Sequence, residues 1–190
     1  MRLIIVDGLD GVGKDTHAQL IKKRYEKIGD RVVIRSHPES DNYFGMKTKK
    51  ALLGKGKSNR VKASIFYAFD VLRSIRVYYR RPKHDTIIFV RYLMGVAYLP
   101  KFSGKIAYKI FEKLVPTSSY MFFLDASPEM LIERIKQREE KEMFETYSAL
   151  VKVRKKALDL AKGWYIIDTS KSIDQTYFNI EKILNELDKN

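Results

Sequence analysis

"VDGLDGVGKDTHA", running from Val6 to Ala18, sets Gly8, Gly13 and Lys14 on the fixed positions of the frame G-x-x-x-x-G-K, with Gly11 between them. Backbone N–H groups of such a loop can close on a phosphate, and the frame continues with a Ser or Thr whose hydroxyl holds Mg²⁺. Here Asp15 occupies that place and Thr16 follows one position late. On the N-terminal side, "RLIIVD" (Arg2 to Asp7) is a short apolar, β-rich run ending in a carboxylate, the pattern of a buried parallel strand. On the C-terminal side, Ala18, Leu20, Ile21, Tyr25 and Ile28 recur at helical spacing up to Gly29. Strand, glycine loop and helix are the context the motif requires. Its glycines permit a tight turn, the helix N-terminus adds the positive end of its dipole, and Lys14 is placed to neutralise β/γ-phosphates.

Four further strand candidates follow: "RVVIR" (Arg31 to Arg35), "TIIFV" (Thr86 to Val90), "YMFFL" (Tyr120 to Leu124) and "WYII" (Trp164 to Ile167). Helical patterns separate them at about 60–80, 103–114, 128–140 and 146–162, and Ile173 to Leu187 closes the chain. Strands alternating with helices predict a five-stranded parallel sheet flanked by helices on both faces. A chain of 190 residues without repeat or linker is expected to form one domain. "LLGKGKSN" (Leu52 to Asn59) reads as a lysine-glycine loop between helices. Ligands of such sheets bind beyond the carboxyl ends of the strands. That rule selects Gly8–Thr16, Ser36–Ser40, Arg91–Tyr98 and Asp125–Ser127.

Bulk composition narrows the chemistry. A hydrophobic content of 45% with 12% aromatics excludes general disorder. The absence of cysteine excludes disulfides, a thiolate nucleophile and a cysteine zinc site. The net charge of +14 attracts polyanions. Its cations are nevertheless spread through "KTKKALLGKGK", "RVYYRRPK" and "VKVRKK" among apolar positions, with no zinc-finger or RNP-type signature. We read them as solvated surface plus nucleotide phosphate sites rather than a nucleic-acid groove. Leu3 to Val6 is too short for a signal peptide and no later segment approaches a membrane span, so a cytoplasmic location is expected.

Together these segments resemble the thymidylate kinase family of nucleoside monophosphate kinases over nearly the whole chain. "GLDGVGKDTHAQL" is similar to its P-loop with an internal acidic residue, and "HPES" (His37 to Ser40) stands where the family has an F-P-E or R-E-P turn. "IFYAFDVLRS" (Ile65 to Ser74) resembles its aromatic acceptor helix, and "VRYLMGVAYL" (Val90 to Leu99) its D-R-[YS] segment. "FFLDASPEMLIERIKQREEKEMFE" (Phe122 to Glu145) resembles the strand, the PE-capped helix and the arginine-bearing lid, placed at about 136–145. "GWYIIDTSKSIDQ" (Gly163 to Gln175) resembles the terminal strand and helix.

The resemblance implies a P-loop NTPase three-layer sandwich. The implied reaction is transfer of the γ-phosphoryl group of ATP to a deoxynucleoside monophosphate, dTMP to dTDP above all, with Mg²⁺ and in a homodimer. Gly8, Asp10, Gly11, Val12, Gly13, Lys14, Asp15 and Thr16 would form the ATP loop, with Thr16 at the α-phosphate. Arg91 would clamp the acceptor phosphate, Asp10 would accept from its 3′-hydroxyl, Phe66 would stack on the base and Tyr98 would favour deoxyribose. His37, Asp70 and Arg73 complete the implied acceptor side. The loop lacks the arginine that some members carry, so Arg134 and Arg138, four apart, become candidates for the transition-state cation; a surface ladder with nearby glutamates is the other reading of them.

Three positions depart from the family pattern. Val90 replaces the aspartate of D-R-Y, Asp70 falls where a base-reading arginine is expected, and Ser40 stands where an arginine often follows Pro-Glu. A carboxylate is thus lost at position 90 and gained at position 15. Asp15 either replaces both the missing hydroxyl and the missing aspartate as a Mg²⁺ ligand, or repels ATP in a degenerate kinase. Asp70 either accepts from an amino-bearing base or is a structural carboxylate, in which case a three-residue shift makes Phe69 and Arg73 the stacking and reading pair. Altered base specificity and a non-catalytic nucleotide or nucleic-acid binder on a kinase fold are the alternatives.

Overall fold

The computed structural model describes residues 1–54, 56–81, 83–95, 101–136 and 146–189. Five strands, β1 (Arg2–Gly8), β2 (Val32–Ser36), β3 (Thr86–Val90), β4 (Tyr120–Asp125) and β5 (Tyr165–Asp168), form one sheet in the order β2-β3-β1-β4-β5. Each of the four neighbouring pairs is parallel. Register pairs Val6 with Val90 and with Phe122, and Ser36 with Val90, so β2 and β3 end level while β1 runs two residues further, to Gly8. The central strands are apolar on consecutive positions because both of their faces are covered: Leu3 to Gly8 and all of β3 are buried.

Helix α1 (Lys14–Lys27) packs on β1, β2 and β3 and, through Tyr25, reaches Asp188 beyond α7 (Ile173–Leu187). Its buried side is Lys14, His17, Ala18, Ile21 and Tyr25, so the helix enters the core with a lysine at its first turn. Helix α2 (Tyr43–Leu53) pairs with α3 (Lys57–Ser74), which runs on into one π-helical turn, Ile75–Tyr79. Helices α4 (Lys101–Leu114), α5 (Pro128–Lys136) and α6 (Tyr147–Leu160) complete the flanks, α5 against α6. A bidentate pair from Arg154 on α6 to Asp125 at the end of β4, 2.8 and 2.7 Å, ties that layer to the sheet.

The strands lie within two residues of their expected positions. From the sequence, α2 is implied only as the helix before the loop at Leu52 to Asn59, without limits of its own. It buries only Gly45, Thr48 and Ala51, so it has no apolar stripe to reveal it. Its start is set by Asn42, whose side chain accepts from the amides of Phe44 and Gly45.

Candidate active site

Three loops leave the carboxyl ends of β1, β2 and β3 and hold the candidate site residues. The glycine loop after β1 is seated from below by Leu9 and Val12, both buried at 1% exposure, so these two contribute packing and backbone rather than side-chain contacts. Gly8, at φ 146°, cannot carry a side chain: a Cβ would stand 2.3 Å from the Leu124 carbonyl oxygen of the neighbouring strand. Gly13, at φ 82°, caps α1 in the left-handed conformation without any side-chain hydrogen bond. By contrast α2, α6 and α7 open on Asn42, Thr146 and Ser172, whose side chains accept from their first-turn amides. The first amides of α1 therefore keep their donors for an anion.

Lys14 is 3% exposed and folds back on the loop, its Nζ donating to the carbonyl oxygens of Gly8 at 2.9 Å and Leu9 at 2.6 Å. Asp10 lies 3.7 Å from the same ammonium. Burial, reinforced by the nearby Arg91 guanidinium, lowers the Lys14 pKa to about 8. A polyphosphate beside Lys14 would favour its charged form, so binding between pH 8 and 10 must take up a proton. Calorimetry of ATP binding at pH 9, in buffers of differing ionisation enthalpy, is expected to show an uptake approaching one proton, with ATP affinity falling as pH rises above about 8. No uptake at pH 9 would remove Lys14 from the phosphates.

Arg91 follows β3 directly and adopts φ 53°, the one non-glycine residue with positive φ among the described residues. Several contacts hold that backbone in place. Its N–H donates to the Val6 carbonyl at 3.2 Å, its carbonyl accepts from the Tyr67 hydroxyl, and the next three amides are captured by one carboxylate. That carboxylate is Asp7, 1% exposed, whose Oδ2 accepts from the N–H groups of Tyr92, Leu93 and Met94 at 2.9, 2.8 and 2.9 Å. In the sequence Asp7 stands only as the end of a strand. A carboxylate closing an apolar run has to be satisfied somewhere, and that is the signal that marks it.

The Arg91 side chain, about a quarter exposed, reaches across all three loops. Its Nη1 donates to Asp15 Oδ2 and to Ser36 Oγ, both at 3.0 Å, and its Nε lies 3.7 Å from Asp10. Ser36 in turn donates to Asp15 Oδ1 at 2.6 Å. Burial alone would raise the Asp15 carboxyl, but Arg91 and Ser36 outweigh it and hold the group below its ordinary value. Asp15 is thus an ionised, exposed oxygen donor at the position of the motif's hydroxyl. Thr16 beside it is exposed as well.

The loop after β2 separates ligand-facing candidates from supports. His37 is 0% exposed, packed among the rings of Tyr67, Phe89 and Tyr92, and its Nδ1–H donates to the Val90 carbonyl at 3.2 Å. Burial lowers its pKa to about 4, so the ring is neutral at pH 7. Asp70, also 0% exposed, accepts from the Glu39 amide at 2.8 Å and from Asn42 Nδ2 at 2.7 Å. The expectation that His37 and Asp70 contact the acceptor nucleotide is therefore corrected: with no surface to offer, both brace the loop from behind. Arg73 differs. Its nearest carboxylate, Asp41, is 4.0 Å away, and its buried Nη1 has no hydrogen-bond partner among the described residues.

Phe66 is half-buried, with its ring edge-on to Tyr43 at 6.2 Å between centroids. Phe69, 48% exposed, stacks on Phe44 at 5.4 Å. The glutamates of the alternative ladder, Glu139, Glu140 and Glu142, lie outside the described residues, and within these Arg134 turns to the glycine loop. Its guanidinium donates to the Gly11 carbonyl at 3.3 Å and to the Thr169 carbonyl at 2.8 Å, which binds the glycine loop to the segment after β5. Arg138, Tyr98 and the lid beyond Lys136 lie outside the described residues.

A glycine loop with a buried lysine, facing an arginine from β3 across the carboxyl edge of a parallel sheet, is the arrangement of a phosphotransferase. The family model described as thymidylate kinase matches residues 6–180. The chain belongs to the thymidylate kinase family. Among its relatives, a probable thymidylate kinase of Archaeoglobus fulgidus is 26% identical over 96% of this chain and 94% of that protein. A probable thymidylate kinase 1 of Saccharolobus solfataricus is 29% identical over 97% of each. The solved structure of the thymidylate kinase from Candida albicans superposes with a TM-score of 0.76 at 18% identity, covering 98% of this chain and 92% of that one. As in that family, the fold is a five-stranded parallel sheet flanked by helices, and ATP is the family's phosphoryl donor. No helix among the described residues is long and apolar enough to cross a membrane.

Proposed function

We propose that the protein transfers the γ-phosphoryl group of ATP to dTMP, forming dTDP and ADP. The observation that carries this reading is the convergence of Lys14 and Arg91, from separate loops, on one edge of the sheet, within reach of the same carboxylate, Asp10. An oxygen of the acceptor phosphate attacks the γ-phosphorus, the bond to the β-phosphate oxygen breaks, and ADP leaves with that electron pair. Such chemistry needs positioning and cations rather than a covalent nucleophile. Lys14 exchanges its two carbonyl partners for the β/γ-phosphates, the amides of Gly11, Gly13 and α1's first turn hold them, and Thr16 takes the α-phosphate. Arg91 clamps the acceptor phosphate, Asp10 accepts from the 3′-hydroxyl, and Arg134, already on the Gly11 carbonyl, supplies a cation beside the donor.

The residues present fit Mg²⁺. Asp15 is an ionised carboxylate with a hydroxyl, Ser36 Oγ, at 2.6 Å, a hard-oxygen pair suited to this ion. When bound, the ion would neutralise charge on the donor phosphates. Asp15 and Ser36 are the residues that would hold it.

The base reading follows from Asp70 and Arg73. With Asp70 committed to the loop, Arg73, whose side chain is 34% exposed on the same helix, is the group left to donate, and thymine presents O4 and O2 as acceptors. Phe69, one turn earlier on α3, would be the stacking ring in that register. A homodimer is supported by Val61, Ile65 and Leu72 on α3, exposed by 57, 50 and 41%. The direct test is ATP consumption with each common nucleoside monophosphate and deoxynucleoside monophosphate in turn. dTMP is expected to give the highest kcat/KM; preference for a cytosine or guanine nucleotide would return base reading to a carboxylate, and no turnover with any would overturn the assignment.

A further inference from the structure

The contact that no motif contains is the closed ring of Arg91, Asp15 and Ser36. We propose that Asp15 is a positioning residue that couples the two substrate sites, holding Arg91 away from the acceptor phosphate until the donor binds and then releasing it. The inference rests on the function proposed above and concerns the order in which its two substrates are admitted.

Three observations support it. First, Arg91 Nη1 donates to both Asp15 and Ser36 at 3.0 Å, so the guanidinium expected to clamp the acceptor is already engaged by a carboxylate of the donor loop. Second, the backbone of Arg91 cannot follow the side chain. Asp7 fixes residues 92–94, Tyr67 holds the Arg91 carbonyl and Val6 its amide, so any transfer of Arg91 between partners is a side-chain rotation about a fixed Cα. Third, Asp15 is the mobile partner in terms of solvation: its side chain is 58% exposed on the first turn of α1, against 28% for Arg91, and it can turn without uncovering core.

The charges decide the direction of the effect. Lys14, Arg91, Asp10 and Asp15 form a locally balanced set, as two cations facing two carboxylates. An acceptor phosphate arriving alone must displace Asp15 from Arg91 and then lie beside that released carboxylate. With the donor in place, the Mg²⁺ carried by ATP would give Asp15 another cation to pair with, and Arg91 would be released to the acceptor. Donor and acceptor should therefore bind with positive coupling, which by linkage is the same whichever is added first.

The test is calorimetric titration of dTMP, with and without saturating Mg²⁺ and a non-hydrolysable β,γ-methylene analogue of ATP, into wild type, Asp15→Asn, Asp15→Ala and Ser36→Ala. A partly exposed charged hydrogen bond of this kind corresponds to roughly threefold to tenfold in affinity. Wild type is expected to bind dTMP about tenfold more tightly with the donor analogue present. Both Asp15 variants should bind it about fivefold more tightly than wild type without the analogue and gain less than twofold from adding it. Ser36→Ala, which removes one arm of the ring, should fall between. A merely structural Asp15 would instead weaken dTMP binding under both conditions, and that result, or equal affinity in wild type with and without the analogue, would overturn the coupling. Wild-type turnover measured alongside keeps the two readings apart. Turnover of dTMP without coupling overturns this inference alone, whereas neither turnover nor dTMP binding overturns the proposed function and this inference with it.

Discussion

Lys14→Met is expected to lower the rate of phosphoryl transfer by about 10³-fold or more while the protein remains folded. Lys14 is 3% exposed, so the substitution places a thioether of similar length into a buried slot and removes a desolvated ammonium. The Gly8 and Leu9 carbonyls lose a donor, at a cost of about 1 kcal/mol, and the transition state loses the only loop cation that can follow charge onto the β/γ-bridge. Steady-state kinetics with ATP and dTMP, beside a thermal melt by circular dichroism, separates the two effects. Retention of more than a tenth of the activity would sink the assignment of this loop to the donor phosphates.

That the loop was legible at all follows from its being local. Gly8, Gly13 and Lys14 act within one turn of chain, and the amides they present belong to the same segment, so their spacing carries the geometry. The strands were legible for a related reason. β3 coincides with its expected limits, Thr86 to Val90, because a strand buried on both faces is written as an unbroken apolar run. What the sequence does not write is register between loops. Asp7 meets Tyr92 across 85 positions and Asp15 meets Arg91 across 76, and no spacing rule connects either pair. For the same reason His37 and Asp70 looked like ligand contacts: polar residues in a site loop read alike from sequence whether they face outward or, as here, support the loop from a fully buried position. Asp15 shows both sides of this limit. Its departure from the motif is visible in the chain, but the arginine it answers to is visible only in the fold.

Arg91 offers the sharpest separation of function from stability. Arg91→Gly is expected to lower kcat/KM for dTMP by about 10³-fold, through a higher KM for the monophosphate and a lower kcat together, because the acceptor phosphate loses both its clamp and its alignment for in-line attack. ATP affinity should change little by comparison. The fold should hardly notice. At φ 53° a non-glycine residue carries about 1 kcal/mol or more of backbone strain, which glycine relieves. Against that stands the loss of the pair with Asp15, which at its exposure contributes about 1 kcal/mol or less. The two offset, so denaturant unfolding should place the variant within about 1 kcal/mol of wild type. A strained arginine held by Asp7, Tyr67 and Val6 would be an expense without return if it served only packing. The measurement decides it: an active Arg91→Gly enzyme would show that the acceptor phosphate is held elsewhere, and a variant destabilised by several kcal/mol would show that Arg91 is a structural keystone whose kinetic loss follows from unfolding.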